Sequence, residues 1–84
     1  MSRQVVKVRA DFDVDGKPNP LKMKYINEEQ ELSTVKIDRI IKKDENNFAG
    51  NKMLIYFCES HEGNLAKTFQ LSYEISTCKW FLYN

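Results

Sequence analysis

The sequence predicts an all-β fold, a small antiparallel meander of five or six strands rolled into an SH3-like barrel, and three observations carry this. Apolar residues recur at every second position over several segments, the period of a half-buried strand. Those segments are rich in β-branched and aromatic residues, and clusters of polar turn-formers separate them. The chain has 84 residues, 42% hydrophobic and 30% charged, which suits one folded domain over 1–84 with room for a single thin core.

The first strand runs from Gln4 to Asp13, where Val6, Val8, Ala10 and Phe12 share one face and Lys7, Arg9 and Asp11 the other. Asp15-Gly16-Lys17-Pro18-Asn19-Pro20 concentrates turn-formers, and each proline disfavours helix in the residue before it, so the chain reverses there. Leu21, Met23 and Tyr25 resume the alternation against Lys22, Lys24 and Ile26, up to a solvated turn at Asn27 to Glu31.

Leu32 to Lys43 has a mixed period. Val35 and Ile37 alternate with Lys36 and Asp38 as in a strand, while Leu32, Val35 and Ile40 also fit one face of a helix. The β-branched content favours a strand with a bend near Asp38-Arg39, the device by which small barrels turn a corner. The fallback is a sheet capped by one helix at 32–43.

Lys43 to Lys52 reads as a polar connection with Phe48 folded back as a plug, and Met53 to Cys58, apolar on both faces, as the most buried strand. Glu59 to Asn64 makes a turn. Leu65, Lys67, Phe69, Leu71, Tyr73 and Ile75 then alternate with Ala66, Thr68, Gln70, Ser72 and Glu74, and Ser76-Thr77 closes a hairpin onto Cys78 to Tyr83. Short sequential connections imply that neighbours in sequence pair in the sheet. A meander ending in an aromatic-rich hairpin resembles small bacterial β-barrel domains, although no motif names a family.

Thirteen Lys and Arg against twelve Asp and Glu give a net charge of +1, so total charge advertises neither a nucleic acid nor an anionic membrane. Its distribution says more: residues 1–43 hold ten bases and seven acids, residues 44–84 three bases and five acids. The longest apolar run, Met53 to Cys58, is far short of the roughly 20 residues of a membrane-spanning helix. Met1-Ser2-Arg3-Gln4 lacks the apolar segment of a signal peptide, and two cysteines make no disulfide scaffold. A cytoplasmic setting with reduced thiols is expected.

Candidate chemistry is sparse. Cys58 and His61 stand at a Cys-x2-His spacing, with Glu59, Glu62 and Cys78 as further donors, but a zinc site needs four converging ligands and two local ones are a weak signal. The plainer reading makes Cys58 and Cys78 small strand residues and places His61 in a solvated turn. A Cys58 nucleophile fails similarly, because burial in an apolar strand makes a thiol inert. The clustered acids Asp11, Asp13, Asp15 and Glu28, Glu29, Glu31 fall in or beside turns, where solvation explains them. No catalytic residue, cofactor or metal is assigned.

Two surfaces are left. Lys79-Trp80-Phe81-Leu82-Tyr83 places large residues on both faces of the last strand, more than one small core accommodates. The leading expectation is therefore a non-enzymatic interaction domain of a bacterial-type intracellular protein, which meets another protein or itself through Trp80, Phe81 and Tyr83. The alternative is a small nucleic-acid-binding β-barrel using Lys7, Arg9, Lys22, Lys24 and Lys36. These share the solvent parity of their strands and form one patch if the strands are neighbours. Against it, Asp11 and Asp38 dilute the patch, and Tyr25 points to the other face, so no aromatic is interleaved for base stacking.

Overall fold

The structure, a computed structural model, describes residues 3–83. Met1 and Ser2, which enter the reading of the N-terminus, lie outside them. The strands are β1 (Arg3–Phe12), β2 (Pro18–Ile26), β3 (Leu32–Lys36), β4 (Arg39–Phe48), β5 (Asn51–Glu62), β6 (Leu65–Glu74) and β7 (Lys79–Tyr83). All seven pair antiparallel in one sheet of order β3-β2-β1-β7-β6-β5-β4. The described residues include no helix, hence none long and apolar enough to cross a membrane. The all-β antiparallel fold holds, with more strands than the five or six expected, but the order is not that of a simple meander: β1 pairs with β7, and the sequence neighbours β3 and β4 stand at opposite edges.

The 32–43 segment follows the favoured strand-bend-strand reading and not the helical fallback: it is β3, a corner at Ile37 and Asp38, and the start of β4. Three expectations are corrected. The turn expected at Asp15 to Pro20 lies at Asp13 to Lys17, and Pro18 to Pro20 already belong to β2. The polar stretch 43–52 is no loop but most of β4 and its turn, and Phe48 is no plug, being 79% exposed. β4 lacks alternation because it is an edge strand exposed along nearly its whole length, held by backbone pairing to β5 from Arg39↔Glu59 to Phe48↔Asn51. β5 continues to Glu62, so the turn expected at Glu59 to Asn64 shrinks to Gly63-Asn64, with Gly63 at φ 62.

The corner shapes the molecule. A flat sheet of this width would separate its edges by about 29 Å. Lys36 and Arg39, at the two edges, are three Cα steps apart, at most about 11 Å. The sheet must curl, and the corner spans its seam: the Ile37 N–H donates to the Leu21 carbonyl on β2 and the Asp38 N–H to the Glu59 carbonyl on β5. Farther along the seam, Lys43 Nζ donates to Asn19 Oδ1 at 2.9 Å and Lys17 pairs with Glu45 at 3.1 Å. The ladder is nevertheless not closed, since β3 and β4 do not pair with each other.

The inner face holds the core. Val6, Met23, Ile37, Leu54, Tyr56, Cys58, Leu71, Tyr73, Trp80 and Leu82 form one buried cluster. The Trp80 ring lies 4.9 Å from that of Tyr73 and 5.7 Å from that of Tyr56. The Tyr56 hydroxyl donates to the Pro18 carbonyl, which ties β5 to β2 across the curl.

Candidate functional site

The antiparallel register brings all five candidate bases together. Lys7 stands opposite Lys24, Arg9 opposite Lys22, and Lys22 in turn opposite Lys36, with Thr34 beside Lys24. All five are exposed on the outer face of the β1-β2-β3 wing. Neighbouring strands lie about 4.8 Å apart and same-face residues about 6.8 Å apart along a strand, so the five charges share a compact field. Lys7, Arg9, Lys22, Lys24 and Thr34 border a depression of about 550 Å³.

Like charges directly opposite each other destabilise a sheet, and here three such pairs are contiguous. None of the five bases belongs to an ion pair among the described residues; the cations that do are Lys17, Arg39, Lys52, Lys67 and, when protonated, His61. Asp38 lies in the corner beyond β3, where its Oδ2 accepts the His61 N–H of β5 at 2.7 Å and forms no ion pair with any of the five bases. Asp11 does border it, following Arg9 along β1 opposite Asn19. The acidic turns, Asp13 to Lys17 and Asn27 to Glu31, bound the band at the two ends of its strands. The positive field therefore runs across the strands, from β1 to β3.

The aromatic strand is placed differently from the expectation. β7 lies between β1 and β6 and has no free edge. Trp80 is 7% exposed in the core, and Phe81, on the outer face between Val5 and Ser72, is 6% exposed with the Arg3 guanidinium 4.2 Å from its ring centre. Tyr83 is half-buried and its hydroxyl accepts from Ser72 Oγ at 3.2 Å. Neither Trp80 nor Phe81 presents a free ring.

Cys58 and His61 do not converge. On a strand, residues three apart point to opposite faces. Cys58 is fully buried in the core, where burial pushes its thiol up to about 12. His61 is exposed, its Nδ1 3.6 Å from Asp38 and its Nε2 3.8 Å from Glu59. Cys78 sits exposed in the β6–β7 turn, and both thiols are free. Among the described residues no group of three or more His, Cys, Asp or Glu side chains is placed to hold a metal ion.

Sequence reasoning missed one feature, a cleft of about 660 Å³ where the β2-β3 wing faces β5 and β6. Its walls include the half-buried Tyr25 and Phe69 and the inward-facing Ser33 and Ser60. Alternation put Tyr25 and Phe69 on the inward side of their strands, but only the curl of the sheet sets them across one opening. Comparison with protein-family models, curated proteins and solved structures finds no match for this chain, so the functional reading rests on the residues themselves.

Proposed function

We propose that this is a non-enzymatic domain that binds the phosphate backbone of a nucleic acid on the outer face of its β1-β2-β3 wing, through Lys7, Arg9, Lys22, Lys24 and Lys36. The observation that carries the proposal is the run of like-charge pairs Lys7↔Lys24, Arg9↔Lys22 and Lys22↔Lys36 without a carboxylate partner. Such pairs cost the free protein stability and are relieved when a polyanion supplies the countercharge. Contact with another protein through β7 has less support, because Trp80 and Phe81 are buried and the strand is an inner one. The architecture reads as an SH3-like small barrel with one seam left open, a reading supported by the two-residue link between its edge strands. The expected setting is the cytoplasm.

Lys22 is the decisive position, since it opposes both Arg9 and Lys36. Lys22→Glu turns two repulsive pairs into attractive ones, each worth about 0.2–1 kcal/mol. The variant should therefore resist urea better than the parent while losing most of its affinity for a labelled oligonucleotide at low salt. Binding by the parent should also fall steeply with added salt. Unchanged affinity in the more stable variant, or no binding by the parent, sinks the proposal.

A further inference from the structure

We infer that the nucleic acid bound on this wing is single-stranded, and that one of its unpaired bases enters the cleft between Tyr25 and Phe69. The inference rests on the phosphate-binding reading above and adds the class of nucleic acid and a second site. The basic band runs across the strands and ends at edge strand β3. Beyond that edge lies the cleft, and β3 itself joins the two: Thr34 borders both the basic depression and the cleft, and Lys36 is at once one of the five bases and a wall of the cleft. A backbone following the positive field over β3 thus arrives at the opening.

The lining suits a base. Tyr25 and Phe69 are half-buried at the margin of the core, and neither takes part in a ring–ring contact among the described residues, unlike Trp80, Tyr73 and Tyr56 in the core and the exposed Phe12 beside Tyr73. Base–aromatic stacking is available to any base and is nearly indifferent to sequence. Ser33 and Ser60, on the inward sides of β3 and β5, supply hydroxyls that both donate and accept, so they match a base edge without demanding one identity. The bases of a duplex are stacked on each other and present no free face to such a slot. At about 660 Å³ the cleft is within the size range of small-ligand sites.

The test is fluorescence anisotropy at constant low salt with three ligands of about 12 nucleotides: oligothymidylate, an abasic single strand with the same number of phosphates, and a duplex. Oligothymidylate should bind at least about fivefold more tightly than the abasic strand, the lower end of one base–aromatic stack, and also more tightly than the duplex. Tyr25→Leu and Phe69→Leu, each checked for an unchanged melting transition, should bring oligothymidylate down to the abasic level while the salt dependence stays that of the parent. Equal affinity of the parent for oligothymidylate and the abasic strand, or tighter binding of the duplex, overturns base insertion and leaves the phosphate reading standing. Failure of all three ligands to bind overturns both. The ligand comparison uses the unmodified protein and does not depend on the variants folding.

Discussion

Two turns of this chain are the same object built from different residues. In Asp13 to Lys17, the Asp13 Oδ1 accepts from the N–H groups of Asp15 and Lys17, and Gly16 sits at φ 82. In Asn27 to Glu31, the Asn27 Oδ1 accepts from Glu29 and Glu31, and Gln30 occupies the position of Gly16 at φ 64. A left-handed conformation crowds the Cβ of any residue but glycine. Gln30→Gly should therefore raise stability by about 0.5–1 kcal/mol in urea unfolding, net of the extra freedom glycine has in the unfolded chain. The buried acids make a second residue-scale expectation. Burial holds the Cys58 thiol and the Tyr56 hydroxyl at about 12, against ordinary values of 9.0 and 10.0. Both are neutral when protonated, so between those values and 12 the unfolded chain gives up protons that the folded chain keeps, and stability falls as pH rises. Urea midpoints should decline from pH 9 upward, and Cys58→Ala should show a shallower decline.

At the scale of elements, the corner between β3 and β4 does the most with the fewest residues. Ile37 is 8% exposed within the core cluster, and its N–H and that of Asp38 attach the chain to β2 and β5 on either side of the seam. Ile37→Ala should cost about 2–4 kcal/mol in urea unfolding, the range for truncating a buried aliphatic side chain. In hydrogen exchange the loss should show most at the Ile37 and Asp38 amides, which close the seam. A loss below about 1 kcal/mol would mean that the corner is a passive linker. The bend expected near Asp38-Arg39 was legible because β-branched residues on either side of it change parity. A register irregularity does follow, between Ile40 and Lys42. The rest of β4 was not legible, because an exposed edge strand buries neither face and so shows no period; the polar run Asp44 to Asn47 looks like a loop although it pairs residue by residue with β5.

For the whole molecule, charge placement outweighs total charge. A net charge of +1 conceals a wing in which three like-charge pairs face each other. Their repulsion acts over a few ångströms, inside the screening length of about 10 Å at 0.1 M salt but beyond the roughly 3 Å at 1 M. The melting temperature should thus rise between dilute buffer and 1 M sodium chloride. The rise should be smaller for Lys22→Glu, which has less repulsion to screen; equal rises would assign the effect to general salting-out. Surface pairs elsewhere on the molecule, such as Lys17 with Glu45, are exposed and screened by solvent, and offset little of this.

Alternation and turn composition alone establish that the chain is all-β, that it reverses in or beside Asp15 to Pro20, Asn27 to Glu31 and Glu59 to Asn64, and that Lys7, Arg9, Lys22, Lys24 and Lys36 share an outward parity. These follow from local physics: alternation along one strand and the conformational preferences of turn residues. Which residues stand opposite one another, whether Phe81 is exposed, and that Tyr25 and Phe69 flank one cleft were decided only by the tertiary structure. Register and curl depend on hydrogen bonds and packing between segments far apart in the chain, and alternation within any one segment is blind to them.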